Sequence, residues 1–244
     1  IDDSPAERSR VGQAFPEIVI PEWPDDPANF VEALGLLACF EIPSISNEDR
    51  QRTAMYASQR VRRKTKSEVG NIDIWLKKLQ TQLTASPVER SNISRVVQLL
   101  NKTNQLNLTT RRLSEKEIID WLREKNRSML AVSLKDIYGN MGLVGVISVE
   151  VWADSGRLVD FVLSCRAMGR RVEDTLIYLA CTELINLGAK TMDAFYRPTK
   201  RNRPTLEVLE KSNLAFVKKN NFRVNLDKNY TQPDFIELIY ERNT

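Results

Sequence analysis

The 244-residue chain contains no histidine. That absence excludes Ser-His-Asp and Cys-His nucleophilic chemistry within the chain, and it argues against a zinc site. Any general base must be Asp, Glu, Tyr, Lys, a thiolate or an ordered water. There are three cysteines, Cys39, Cys165 and Cys181, far apart in sequence and without metal-ligand spacing. An odd, scattered set of this kind reads as reduced thiols and hence a cytoplasmic protein. No run of 18 apolar residues occurs, so no membrane span is expected. Nothing near the first residue reads as a signal peptide. The sequence opens at Ile1 without Met, inside what reads as the end of a strand, so a piece of a longer chain is expected.

The rest is ordinary for a globular protein: 42% hydrophobic and 28% charged residues, enough for one large or two small domains. The net charge is +4 and the pI about 8.9. Much of the excess lies in Arg60, Arg62, Arg63, Lys64 and Lys66. This patch reads as a solvated helix face. Nucleic acid is disfavoured, because neither interleaved aromatics nor a known module accompanies it. An acidic protein surface would suit the charge equally well.

Along the chain, Ser4, Pro5 and Glu7 have the spacing of a helix start. The adjacent carboxylates Asp2 and Asp3 stand where a hard cation such as Mg²⁺ could be held, or are a solvated cap. Ile18 to Ile20 predicts a short strand, and Ala28 to Cys39 a helix. Ser46 and Asp49 fit the cap of a polar helix reaching about Lys66, which reads as a connector packing through Met55 and Tyr56. Asn71 to Leu79 predicts a short helix burying Trp75. Thr81 to Ala85 predicts a strand, and Ile93 to Leu100 falls in a helix. Ser114 with Glu117 predicts a capped helix. Ser128 to Lys135, Leu143 to Trp152 and Leu158 to Leu163 predict strands, the last interrupted by Asp160.

After a loop bearing Gly169, Val172, Leu176, Ala180 and Leu184 recur four apart, as in an amphipathic helix. A helix starting just after a strand and such a loop presents free backbone N–H groups. With Arg166, Arg170 and Arg171 nearby, this reads either as an anion site or as a plain βα turn with solvated arginines. Thr191 to Tyr196, Phe222 to Val224 and Phe235 to Tyr240 predict further strands, and Pro204 to Glu210 a helix. This order gives an α/β fold with a mixed sheet.

Two segments carry resemblances. Arg166-Ala-Met-Gly169-Arg-Arg171 resembles the pyrophosphate loop of the GNAT-like acyltransferases, with Arg171 at the last position where a small residue is usual. Asn-Lys-Thr-Asn104-Gln105, followed by Asn107-Leu-Thr109-Thr110-Arg111, resembles the signature of the FkbH-like family, with Leu106 where that family carries Phe. Gly142-Leu-Val-Gly145, Ser164-Cys-Arg166 and Pro198-Thr199-Lys200 with Asn202 look like the same family's C-terminal domain. Asp2-Asp3-Ser-Pro-Ala-Glu-Arg resembles the last acidic motif of the haloacid dehalogenase superfamily. The upstream Asp-x-Asp nucleophile of that superfamily has no counterpart here.

The resemblance implies a tail of a haloacid dehalogenase-like (Rossmannoid) domain over residues 1–45, a helical connector over 46–73, and a GNAT-like mixed sheet flanked by helices over 74–244. It implies transfer of a glyceryl unit from 1,3-bisphosphoglycerate, with dephosphorylation, to the phosphopantetheine arm of an acyl carrier protein in polyketide biosynthesis. The phosphate chemistry, with Mg²⁺ at Asp2 and Asp3, would need the missing N-terminal phosphatase-like half. The alternatives are a coenzyme A-dependent N-acyltransferase and a non-catalytic carrier-protein docking domain. The implied catalytic residues are Cys165, Glu150 and Tyr196. Those implied for the pantetheine arm or substrate are Asn104, Gln105, Asn107, Thr109, Thr110, Arg111, Arg166, Gly169, Arg170, Thr199, Lys200 and Asn202. Cys165 reads as a thiol activated beside Arg166 or as a small core residue, and Cys181 as core.

Overall fold

The computed structural model describes residues 2–38, 52–227 and 230–241. Cys39 and the Ser46/Asp49 cap lie outside the described residues, as do the side chains of Met55, Tyr56 and Arg63. The chain divides into two compact units, Ile1–Gln51 and Arg52–Thr244.

The smaller unit holds helix α1 (Pro5–Ala14), a 3₁₀ turn over Pro27–Asn29 and the short helix α2 (Phe30–Gly35). The expected capping of α1 is present, with Ser4 Oγ accepting from the Glu7 N–H at 3.4 Å. Ile18 to Ile20 is not a strand. No strand among the unit's described residues stands beside it to supply ladder hydrogen bonds, and Val19 is 74% exposed. The helix expected from Ala28 is shorter and begins as the 3₁₀ turn.

The larger unit opens with α3 (Arg52–Val69) and α4 (Ile72–Lys78). Asn71 caps α4, its Oδ1 accepting from the Asp73 and Ile74 N–H groups at 2.9 and 3.2 Å. The expected connector helix is integral to this unit. Arg62, on α3, is buried and donates two bonds of 2.7 Å to Asp136.

The sheet comprises β1 (Thr81–Pro87), β2 (Leu106–Asn107), β3 (Arg127–Asp136), β4 (Gly139–Trp152), β5 (Ser155–Leu163), β6 (Thr191–Phe195), β7 (Ala215–Lys218), β8 (Asn221–Asn225) and β9 (Ile236–Tyr240). Its helices are α5 (Ile93–Lys102), α6 (Glu115–Trp121), α7 (Val172–Asn186) and α8 (Arg203–Lys211). The strand order is β7-β8-β6-β5-β4-β3-β1-β9, with β2 also on β5. The β3–β4–β5 meander is antiparallel, while β5/β6 and β1/β9 are parallel. The chain therefore leaves β8 at one side of the sheet and returns as β9 at the far edge. The mixed sheet flanked by helices is the architecture implied by the strand and helix order.

Both faces of the sheet are covered, which explains the nearly unbroken apolar run of β4. On one face α7 packs Val172, Leu176, Ala180 and Leu184 against Ile147, Val149, Phe161 and Leu163. On the other, α5 and α6 bring Val96, Leu100 and Ile118 onto Met129, Val146 and Val162. The Ser114/Glu117 capping box is formed. β2 and β7 have no counterpart in the sequence pattern. β2 is too short to show periodicity, and all four residues of β7 are exposed.

Gly156 sits where β5, β6 and α7 meet. A Cβ there would lie 2.6 Å from Leu184 Cδ2 and 2.9 Å from the Thr191 carbonyl oxygen. The carbonyl belongs to a paired strand and has little freedom to yield. Gly156→Ala is expected to destabilise the fold by about 1–3 kcal/mol. Urea denaturation with an unchanged m-value checks this, and a stability within error of wild type would contradict it.

Candidate functional site

β5 and β6 pair only from Ser155/Thr191 to Leu158/Ala194. There the register of β5 against β4 slips, leaving Val159 as the extra residue of a bulge, and bulges sharpen twist and end pairing. Beyond the bulge the neighbour of β5 is β2, with Leu106 opposite Leu163 and Asn107 opposite Val162. The Leu108 N–H donates to the Phe161 carbonyl at 3.1 Å, and the Leu108 carbonyl accepts from Arg197 at 3.0 Å. The amide-rich run thus bridges β5 and the segment following β6. Leu106 and Leu108 anchor it in the core.

Side chains lock this inserted strand. Asn202 is 0% exposed. Its Nδ2 donates to the carbonyls of Asn107 (3.0 Å) and Arg197 (2.9 Å), and its Oδ1 accepts from the Tyr196 hydroxyl (2.9 Å) and the Thr199 N–H (2.7 Å). Thr205 Oγ1 accepts from the Asn107 N–H (2.9 Å) and donates to the Gln105 carbonyl (3.1 Å). Asn107 Oδ1 accepts from the Thr110 N–H at 2.8 Å. Thr109 Oγ1 donates to the Val159 carbonyl at 3.2 Å. Asn107, Thr109, Tyr196 and Asn202 therefore hold the chain to itself. Burial raises the Tyr196 hydroxyl pKa, which adds to its character as a fixed donor to Asn202. The Gln105 side chain is exposed and only its carbonyl is engaged in this network.

Asp160, the polar interruption of the central strand, is fully buried at the bulge. It accepts from Ser148 Oγ at 2.5 Å and from Arg111 through Nε at 3.2 Å and through Nη2. Arg111 also lies over the Trp121 ring, 5.2 Å from its centroid. Arg111 is thus an internal counter-ion. Glu150 sits between Arg127 (3.6 Å) and Arg157 (3.5 Å) near the β4–β5 hairpin. From Arg157 to Cys165 the chain spans about 25 Å of extended backbone, so Glu150, Tyr196 and Cys165 do not converge.

In the loop after β5, Cys165 is exposed and Cys181 buried. Burial pushes the Cys181 thiol up to about 12, fitting its reading as core. Arg166 Nη2 donates to the Leu143 carbonyl at 3.1 Å. Arg170 is buried against Asp136 at 2.8 Å, and burial lowers its pKa. Gly169 adopts φ 73°, and its N–H donates to Glu173 Oε1 at 2.9 Å. The expected anion position at this helix start is thereby occupied by the protein's own carboxylate. Arg171, itself at φ 59°, pairs with Asp174 at 2.9 Å and covers the Phe235 ring. The adjoining cavity of about 760 Å³ is lined by Lys77, Arg171 and Lys211 but also by Asp73, Glu173, Asp174 and Asp234. That mixture does not fit a coenzyme A pyrophosphate.

A cleft of about 370 Å³ has a different balance. Asn104, Thr110, Arg112, Thr199, Lys200 and Arg201 line it, giving three cations and no carboxylate. Arg112 donates to the Leu100 carbonyl and to Asn104 Oδ1. Thr110, at φ 52°, turns the chain there. Four residues expected from sequence, Asn104, Thr110, Thr199 and Lys200, come together here across about ninety intervening positions. Arg112 and Arg201 were not singled out. The Arg111-Arg112 pair was the available signal, one arginine being used inside and the next lining the cleft. Hydroxyl, amide and guanidinium donors without a competing carboxylate suit a phosphate ester.

Asp2 and Asp3 are exposed, and Asp2 Oδ1 accepts from the Ser4 N–H at 2.9 Å. Among the described residues no group of three or more Asp, Glu, Cys or His is arranged to hold a metal ion. These two carboxylates alone do not fit a resident Mg²⁺, which wants more hard oxygen ligands. No helix among the described residues is long and apolar enough to cross a membrane.

No family model and no curated protein matches the chain. Solved structures resemble it distantly. One is a domain from Methanocaldococcus jannaschii (15% identity, 59% of this chain, 99% of that chain, TM-score 0.47). A second is spermidine N-acetyltransferase from Vibrio cholerae in complex with CoA and spermine (15%, 61% and 98%, TM-score 0.46). A third is the ribosomal-protein-S18-alanine N-acetyltransferase from Escherichia coli (12%, 59% and 94%, TM-score 0.43). At such scores the likeness carries no argument about chemistry.

Burial raises the Glu173 carboxyl above its usual value of 4.5. The folded chain therefore holds this proton more tightly than the unfolded one. Its stabilising contribution is complete below the unfolded value and is lost as pH rises through the raised folded value. Glu173→Gln, which imitates the protonated acid, is expected to match wild type at acidic pH and exceed it in stability near neutrality. Denaturation midpoints across pH measure this, and parallel pH profiles would contradict it.

Proposed function

We propose that this chain is the pantetheine-receiving part of an enzyme that transfers a glyceryl unit to an acyl carrier protein in polyketide biosynthesis. The observation that carries the reading is the carboxylate-free cleft of Asn104, Thr110, Arg112, Thr199, Lys200 and Arg201; the exposed Cys165 follows β5, the strand that pairs with β2. The cleft receives the phosphate of the phosphopantetheine arm, with Arg112 and Lys200 supplying the charge. In this reading a glyceryl thioester on Cys165 is attacked by the pantetheine thiolate. A new carbon–sulfur bond forms, the bond to Cys165 breaks, and Cys165 leaves as the thiolate.

Capture of the glyceryl unit from 1,3-bisphosphoglycerate, and its dephosphorylation, belong to an N-terminal phosphatase-like half. In this reading the first 45 or so residues belong to the tail of that half. The alternative is a coenzyme A-dependent N-acyltransferase, in which a pyrophosphate at the Gly169 loop would have to displace the Glu173 carboxylate.

The test uses the full-length parent, incubated with Mg²⁺ and 1,3-bisphosphoglycerate and analysed by intact mass and peptide mapping. A glyceryl adduct on Cys165, absent in Cys165→Ala, is expected. An adduct mapping elsewhere leaves this chain as a docking domain, and no adduct refutes the glyceryl reading. Arg112→Ala with Lys200→Ala is expected to weaken carrier-protein binding at least about tenfold, since each charge-assisted contact contributes about 1.5–3 kcal/mol. The loss should be specific to the phosphopantetheinylated carrier. Equal loss with the unmodified carrier would refute the phosphate assignment.

A further inference from the structure

Two acidic residues are buried on α7, Glu173 and Glu183, among mostly apolar neighbours. Glu173 serves the loop before the helix. Glu183 lies nearly three turns on, 9% exposed, and serves nothing described above. Its carboxylate accepts from the Ser128 hydroxyl, from the Tyr240 hydroxyl and, at 3.4 Å, from Asn186 Nδ2. All three partners are neutral. Among the described residues no cation forms an ion pair with Glu183, although a buried carboxylate ordinarily requires one.

Glu183 lines a cavity of about 620 Å³ bounded by the ends of β1 and β9, the start of β3 and α7. Val88, Leu122 and Met129 form apolar wall, and Glu241 adds a second carboxylate. Arg127 also lines the cavity, but its guanidinium is held by Glu150 at 3.6 Å and lies over the Trp121 ring. Both hydroxyls give their hydrogens to Glu183, so the Ser128 oxygen that lines the cavity offers lone pair rather than proton. Acceptor oxygens thus line an open cleft of ligand-binding size. The missing chemical element is a compact cation with several N–H donors beside an apolar stem.

We propose that this cavity is a binding site for a small ligand bearing a primary ammonium group, with Glu183 as counter-ion, Ser128 as a further acceptor and the Val88/Leu122/Met129 wall receiving the alkyl part. The site lies apart from the cleft of Arg112 and Lys200, and the inference does not depend on the function proposed there.

The test titrates the 244-residue chain with n-butylammonium chloride near neutral pH, followed by NMR shifts and calorimetry. Saturable binding with Kd of about 1 mM is expected for so small a ligand. n-Butanol, of the same shape without the charge, should bind at least about tenfold more weakly, the margin of an uncompensated buried charge. Glu183→Gln keeps an acceptor for Ser128 and Tyr240 and should lose ammonium binding by the same factor. Should that variant not fold, Leu122→Trp fills the cavity from its apolar side, leaves the carboxylate in place, and should abolish binding. Absence of saturation in the wild type overturns the proposal. So does equal binding of butanol, or ammonium binding that survives whichever variant folds.

Discussion

The carboxamide of Asn202 is the contact on which the candidate site depends. Fully buried, it makes four hydrogen bonds and ties together the inserted strand, the segment after β6 and the Tyr196 hydroxyl. Each bond contributes about 1 kcal/mol net, but an orphaned buried partner costs about 1–3 kcal/mol. The network is therefore held as a unit. By clamping Leu106–Leu108 between β5 and the Arg197 backbone, it closes the sheet where β5 and β6 diverge. It also presents Asn104, Thr110 and Arg112 on one side of a cleft and Thr199, Lys200 and Arg201 on the other.

A second constraint is the placement of charge. Asp136 receives Arg62 and Arg170, so α3 and the loop after β5 are pinned to the end of β3 by one carboxylate. Asp160 receives Arg111 at the bulge, and Glu173 caps the Gly169 N–H. Each internal acid withdraws a basic group or a backbone donor from ligand binding. The cleft of Arg112, Lys200 and Arg201 is left with three cations and no carboxylate. The location of that cleft thus follows from where the carboxylates are used up.

Much of the fold was legible in the sequence. The four-residue spacing of Val172, Leu176, Ala180 and Leu184 and the apolar runs of β3 and β4 each answer to local geometry. The Ser114/Glu117 box did as well. β2 was not legible, because two residues carry no period and their pairing with Leu163 and Val162 depends on a bulge more than fifty positions away. The site was half legible. Asparagine and threonine in the run from Asn104 to Thr110 signalled dense hydrogen bonding, but the same groups bind a ligand or tie down a turn. Asn104 and Thr110 line the cleft, whereas Asn107 and Thr109 are structural. Arginine is ambiguous for a similar reason. Arg111 and Arg170 look like anion ligands until Asp160 and Asp136 are placed beside them in space.

The most direct test of this account is native-state hydrogen exchange at the amides of Leu108 and Arg197, which bridge the inserted strand to both of its neighbours. If Leu106–Leu108 is a permanent part of the sheet, these two amides will exchange as slowly as those of β4 and only through global unfolding. Exchange at rates approaching those of surface loops, with β4 still protected, would show that the segment leaves the sheet readily. The clamp centred on Asn202 would then not be what holds the site together.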